Sequence, residues 1–585
     1  MPGHLADGSR GQGLPPLVGD DVQPDRGMVI RAERPRSSWR VVMLCIAIWP
    51  SCTWPKAPPD AAPVVESPAV QRMRQVLARV PGILAKNHRT FPAQGGTVDG
   101  FGAGDTYPQI WLRDSAWIVP AAAAFYDAPT LISWLDLHLS VATKSGRLRD
   151  WVAAGPPDAF REWAPHVTTI GSLAVDTNTN ESDQEPSAAL AYCRIEEALR
   201  GQATVTGPRH RTRVAKLVAA MQALIRDRTD EETGLIWSGL TADWGDVSPV
   251  HPDQRAIYFD AATPRTLSLY SNVMVYVALD CLSRLERAGR THDALVGQAT
   301  RLRDRIRAEF WSADSGFFRM RKTLDQAPPG FEDDDRRFAL GGNALAALFG
   351  VASDDQAAAL FETGERLRSA DRSSTISTTL VPPYAAGVFP HAAMRMPFEY
   401  QNGGQWDWFG AAMVLAEFER GYSERARLHL DQIASRILKA GPGMHEWYGR
   451  DGAPRGSPAY AASAAAVFGA VARGMLGISR TTSGYQVTLR TGETLLPLEV
   501  GQRAGSGPIV VSQTVGATTV DVVVTSTLRV DEVCSVIPPG RLATSLAAVD
   551  APFPRGIRQI GRDTLVCADT STSPLPVRVR FGLSR

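Results

Sequence analysis

Four stretches of the 585-residue chain bring together carboxylates, amides and aromatic rings in proportions that spacers do not need. The first, Asp105-Thr-Tyr-Pro-Gln-Ile-Trp111-Leu-Arg113-Asp114-Ser115, sets an adjacent guanidinium and carboxylate beside an indole. Arg113 donates and Asp114 accepts, which suits a ligand covered in hydroxyls, and the face of Trp111 suits a sugar ring. Spacing alone favours a plainer use, with Asp114 or Ser115 capping the next helix and Arg113 paired locally. The second stretch is Thr241-Ala-Asp243-Trp244-Gly-Asp246-Val-Ser248-Pro249. Its glycine permits an unusual turn that aims Asp246 into a cavity, with Trp244 alongside. A carboxyl desolvated there by aromatic rings has a raised pKa and can hold a proton for a leaving group. An Asx-turn before Pro249 is the alternative.

The third stretch, Phe398-Glu-Tyr-Gln-Asn402-Gly-Gly-Gln405-Trp406-Asp-Trp408, interleaves rings with amides around a Gly-Gly hinge. That composition is useful in a sugar subsite; a wide loop packed by its own rings is the alternative. The fourth, Gly441-Pro-Gly-Met444-His445-Glu446-Trp447-Tyr448, followed by Pro454-Arg-Gly456-Ser457-Pro458-Ala-Tyr460, places Glu446 after a Gly-Pro-Gly break. Glu446 is a candidate base to polarise water, or a solvated turn carboxylate. No metal or cofactor is expected. His445-Glu446 lacks the second histidine of HExxH, no CxxC pair exists, and no P-loop, GxSxG or GxGxxG occurs. The Glu332–Asp335 run reads as a solvated loop.

The elements that position these stretches read as helices from about 67 to 478, separated by long polar loops. Val214, Leu217, Val218, Met221, Leu224 and Ile225 follow one helical face. Met274–Leu285 and Leu295–Phe310 repeat the spacing, and Ser353 with Gln356 makes a capping box before 357–367. Further helices are expected near 68–86, 115–127, 187–200, 342–349, 408–420, 423–439 and 459–475. From 479 to 585 the period changes. Tyr485, Val487 and Leu489 alternate with polar residues, as do Val520, Val522 and Val524, and Val577, Val579 and Phe581. This predicts a small β-sandwich. Cys534 and Cys567 both fall in it, and could pair in an oxidising compartment.

Lys and Arg total 62 against 61 Asp and Glu, a net charge of +1 that leaves no footprint for nucleic acid or an anionic membrane. Residues 1–61 read as a disordered N-terminus carrying an export signal: arginines up to Arg40, an apolar run over 41–49, then small and Pro-rich residues. The run is too short to span a bilayer. The expected location is periplasmic or secreted. Cys52 sits where a lipidated cysteine would, but Trp49, Pro50 and Ser51 before it fit a lipoprotein signal poorly.

The order of the four stretches resembles the six-hairpin glycoside hydrolases, whose fold is an (α/α)6 toroid. Trp111-Leu-Arg-Asp-Ser115 is similar to a signature shared by glucoamylase-like and exo-mannosidase enzymes. Asn402-Gly-Gly-Gln-Trp406-Asp-Trp408 resembles the processing α-glucosidase, trehalase and debranching-enzyme branch. The resemblance covers roughly 70–478. It implies a mainly α fold and hydrolysis of a terminal α-linked sugar, with α-glucosides favoured. The α-mannosidases, glycoside phosphorylases and non-catalytic sugar binders are the alternatives. It implies Asp246 as general acid, with Asp243 as rival because the local sequence is Asp-Trp-Gly-Asp, and Glu446 as general base. Trp111, Arg113, Asp114, Trp244, Asn402, Gln405, Trp406 and Trp447 are the implied sugar contacts. Asp183 and Glu185 are read as helix caps. Enzymes of this branch invert, implying carboxyls about 6.5–9.5 Å apart, a raised Asp and a nearly ordinary Glu.

Overall fold

The computed structural model describes residues 65–584, apart from 94–95, 163, 178–179, 333, 502–506, 539 and 548–552. The expected export signal at 41–49 and Cys52 lie outside the described residues. From Val65 onward the chain forms one compact unit.

Thirteen α-helices occur among the described residues: α1 (Pro68–Leu77), α2 (Val80–Asn87), α3 (Leu112–Ala122), α4 (Ala128–Ser140), α5 (Gln184–Ala198), α6 (Gly207–Arg228), α7 (Leu269–Glu286), α8 (Arg290–Phe310), α9 (Leu340–Leu348), α10 (Asp354–Asp371), α11 (Asp407–Glu419), α12 (Ser423–Lys439) and α13 (Ala461–Gly469). Helices α3, α5, α7, α9, α11 and α13 touch in that order, and α13 returns to α3, so the six close a ring. Their sequences explain the placement. Every residue of α11 from Asp407 to Phe418 is buried, as is every residue of α13 from Ala461 to Phe468. A helix apolar on all sides must be wrapped by others. Helix α8, outside the ring, buries one stripe: Leu295, Ala299, Leu302, Ile306 and Phe310.

Two local expectations change. The helix expected at 115–127 is α3, which ends at Ala122, and a helix that was not expected, α4, follows it. Asp127 starts α4 by accepting from Thr130 N at 3.1 Å, and Pro129 sits in its first turn. Helix α4 buries Leu131, Ile132, Trp134, Leu135, Leu137, His138 and Leu139, and only a narrow polar stripe of Ser133, Asp136 and Ser140 stays partly open. The connections are also more ordered than polar loops. Ile110–Trp111, Trp151–Ala154, Leu173–Asp176 and Thr168–Ile170 form a four-stranded sheet, and Arg321–Thr323, Arg265–Ser268 and Trp237–Gly239 a three-stranded one. Ile110–Trp111, Arg265–Ser268 and Phe338–Ala339 lead directly into α3, α7 and α9.

After the last helix come two five-stranded sheets. Strand Val577–Ser584 buries Val577, Val579, Phe581 and Leu583 and turns Arg578 and Arg580 outward. Cys534 and Cys567 lie opposite each other on paired strands and form a disulfide. A second disulfide, Cys193–Cys281, joins α5 to α7. The sheets dock on the helices where Asp563 accepts from Ser423 N at 3.2 Å and Thr491 O from Arg427 Nη1 at 2.6 Å. No helix among the described residues is long and apolar enough to cross a membrane.

Candidate active site

The starts of the six ring helices meet. Tyr460, just before α13, donates to Asp114 in the first turn of α3 at 2.8 Å. Arg113 binds Asp183, just before α5, at 2.5 and 3.2 Å, and Tyr270 at the start of α7 donates to the same carboxylate at 2.9 Å. Asp243 accepts from Gly341 N and Gly342 N of α9 at 2.6 and 3.0 Å. Trp244 packs on Trp406, just before α11, at 4.8 Å, and Trp406 lies 6.0 Å from Tyr460. Each helix start carries unpaired N–H groups and a partial positive charge, so carboxylates gather where six of them converge.

Asp114 therefore neither caps its helix nor leaves Arg113 to a local partner. Helix α3 begins at Leu112, with no side-chain cap on Trp111, and Asp183 lies 70 residues from Arg113. Asp183 and Glu185 are not caps either. No side-chain cap bond is made at Asp183, and Glu185 accepts from Arg147 and from Leu148 N at 2.7 and 2.9 Å. Their partners are too distant in sequence for a local reading to supply.

Glu446 sits in a turn where Glu446 N donates to Ser457 O at 3.0 Å. Its Oε2 accepts from Tyr107 Oη at 3.0 Å and Ser457 N at 3.1 Å; its Oε1 has no protein donor among the described residues. Gly456 makes room for it: a Cβ there would lie 2.5 Å from Oε2, at φ +63°. Burial lifts the Glu446 pKa to about 7 against the two donors, with the charges of Asp114 and Asp246 adding to the rise. The expectation of a nearly ordinary Glu is corrected on this point, because the side chain is only 3 % exposed.

The two aspartates of the second stretch have separate situations. Asp243 is buried with both oxygens bound to α9, and burial lifts its pKa to about 7 against those bonds. Asp246 is half-buried; Oδ1 accepts from Gln401 Nε2 at 3.0 Å, and Oδ2 has no protein partner among the described residues. The unusual backbone falls on Asp243, at φ +53°, rather than on Gly245. Gly245 supplies space instead, since a Cβ would meet Gln401 Oε1 at 2.6 Å. The charge of Asp246 acts on Glu446, Asp114 and Arg113 together. Burial also lifts Asp114 to about 6, opposed by Tyr460 and Arg113.

The implied sugar contacts divide. Trp111 and Trp447 are half-buried, and Trp447 lies 6.2 Å from Tyr400. Trp244 and Trp406 belong to the core, where Trp406 Nε1 donates to Tyr400 O at 3.0 Å. Asn402 and Gln405 are buried and bond the loops around them. Asn402 bonds Tyr384 N, Tyr384 O, Met394 O and Met396 O; Gln405 bonds Ser374, Thr375, Arg436 and Gly449 O. Unforeseen residues stand beside the carboxylates. Tyr107, Tyr460 and Gln401 touch them directly, and Tyr400 faces Asp246 and Glu446 electrostatically. All four lie within the four stretches, but residue type alone ranks them below tryptophans and carboxylates.

No protein-family model matches the chain, and no curated protein matches it in sequence. Solved structures do. The GH63 mannosylglycerate hydrolase from Thermus thermophilus in complex with Tris is 16 % identical, covering 67 % of this chain and 99 % of that one, at a TM-score of 0.50. The α-L-rhamnosidase from Streptomyces avermitilis complexed with L-rhamnose is 14 % identical over 88 % of this chain and 41 % of that one, at 0.51. The α-L-rhamnosidase from Dictyoglumus thermophilum is 9 % identical over 89 % and 50 %, at 0.53. The chain resembles them in fold, a ring of helices joined to β structure.

Proposed function

We propose that the chain is an exported glycoside hydrolase of the six-hairpin (α/α)6 type, removing a terminal α-linked sugar, an α-glucoside in the first instance, with inversion. Residues 67–478 are the catalytic part, 479–585 a β-sandwich, and 1–61 an export segment. The observation that carries the reading is the state of two carboxylates. Asp246 and Glu446 stand 200 residues apart in sequence, the charge of Asp246 acts on Glu446, and each keeps one oxygen on protein donors and the other without one among the described residues. Asp243 has no oxygen to spare, which supports Asp246 as the acid.

In this reading Asp246 protonates the departing glycosidic oxygen through Oδ2. Glu446, steadied by Tyr107 and Ser457, takes a proton from water through Oε1 as the water attacks the anomeric carbon from the opposite face. A base poised near neutrality is well matched to that transfer, because it is ionised at working pH and still basic enough to accept a proton. Arg113 and Asp114 hold hydroxyls of the terminal sugar. Both disulfides are compatible with an oxidising compartment. A panel of aryl α-glycosides followed by NMR of the first-formed product tests the reading. An α-glucoside is expected to release the β-anomer before mutarotation. Release of the α-anomer, or a glycosyl ester trapped on either carboxylate, removes Glu446 from the role of base.

A further inference from the structure

Asp150 is 5 % exposed, and its side chain accepts no hydrogen bond among the described residues. It is alone in this. Every other buried carboxylate described has at least one donor, as Asp176 has Tyr258, Glu181 has Thr241 and Glu417 has His429. The backbone of Asp150 is pinned: its carbonyl accepts from Leu112 N and its N–H donates to Asp176 O, both at 2.9 Å. The carboxylate is thereby fixed beside the start of α3, attracted by Arg113 and repelled by Asp183, Asp246 and Asp114. Arg113 gives it no bond, being committed through Nε and Nη2 to Asp183. A buried carboxylate without a donor is costly, and folded proteins rarely keep one without a use.

We infer that Asp150 is a ligand-binding carboxylate of this site, kept unpaired by the protein to accept from hydroxyl or protonated amine groups of a non-acidic sugar. The inference rests on the glycosidase reading for the site and deepens it by substrate class. Asp114, Asp150, Asp246 and Glu446 face the ligand, and the guanidinium among them is already balanced by Asp183. A sugar acid would bring a further negative charge into this low-dielectric cluster and is excluded. A neutral sugar supplies the donors that the carboxylates lack.

The test uses the full chain, a matched set of aryl α-glucoside, 6-amino-6-deoxyglucoside and glucuronide, and thermal shift by the corresponding free sugars. Asp150→Asn is expected to keep or raise Tm, since it removes an unpaired buried charge, while sugar affinity and kcat/KM fall about 10–100-fold. Asp183→Asn, which breaks a made ion pair, is expected to lower Tm. The wild type is expected to bind the glucuronic acid at least about tenfold more weakly than glucose. Should Asp150→Asn fold poorly, Asp150→Ser provides the same comparison. Tm falling as in Asp183→Asn with sugar affinity unchanged overturns the inference, as does glucuronic acid binding as tightly as glucose. Sugar binding that depends on Asp150, without turnover of any glycoside, upholds the inference and overturns the glycosidase reading. No shift by any sugar in the wild type overturns both.

Discussion

The C-terminal sheets and the starts of the ring helices treat charge in opposite ways. In strand Val577–Ser584 the charged side chains lie outside, and Arg580 meets Asp521 at 2.5 Å in solvent. At the ring starts the carboxylates lie inside. Asp114, Asp150 and Glu446 are buried, and Arg113 beside them is bonded to Asp183. The sheets bury Val, Leu and Phe, which stabilises by about 25 cal/mol per Å². The helix starts bury ionisable groups, which destabilises the fold and shifts protons instead. A fold tolerates the second only where something is gained, so the misfit between burial and charge separates working surface from supporting surface.

The sharpest way to break this contrast is to neutralise the misfit. Glu446→Gln is expected to lower kcat by about 10²–10⁴-fold, the usual worth of a general base. It is also expected to raise Tm above pH 7. The folded pKa of about 7 exceeds the ordinary 4.5, so the folded chain holds its proton longer than the unfolded one. Wild-type stability therefore falls as pH climbs from 4.5 through 7, and the variant escapes that loss. Differential scanning calorimetry at about pH 4 and about pH 8, run beside kinetics, checks both halves. Asp246→Asn should lose activity on a similar scale and recover part of it on a substrate with a good leaving group.

The sheets should answer in the reverse sense. Replacing Cys534 and Cys567 together by Ser opens a 33-residue span and is expected to cost about 2–4 kcal/mol, read by chemical denaturation. The kcat of the molecules that stay folded should not change. Next in size is the pH profile. The acid limb of kcat/KM should have its inflection near 7, where Glu446 ionises, and fall about tenfold per unit below it. An inflection near 4.5 would return Glu446 to ordinary behaviour. The smallest effect sharpens the contrast within one loop. Asp243→Asn removes an acceptor from the start of α9 and should cost about 0.5–2 kcal/mol in Tm-derived stability while leaving rescue by a good leaving group unchanged.

The sheets were legible because period-2 alternation reports a single partition between core and solvent, and Val520, Val522 and Val524 obey it. The outer helices were legible where a broad polar face accompanies one buried stripe, as in α8, and missed in α4, whose polar stripe is narrow. The four stretches stood out by composition, and the structure brings members of all four together. Which side chain of a stretch faces the ligand did not follow from composition. Gln401 and Asn402 are adjacent amides, yet one reaches Asp246 and the other holds the backbone of its own loop. Asp150 lies outside all four stretches and has no sequence signal, because its distinction is a missing partner.

The contact from Tyr460 to Asp114 spans 346 residues, and it lies where α13 returns to α3. During synthesis the ring is an open arc until its last helix emerges. At about 5–20 residues per second, the flank of α3 that meets α13 waits tens of seconds for its final neighbour. A nascent chain stopped anywhere short of α13 carries an apolar flank and no assembled site. The newborn molecule thus has no partially working state, and its solubility in that interval depends on what shields the flank of α3.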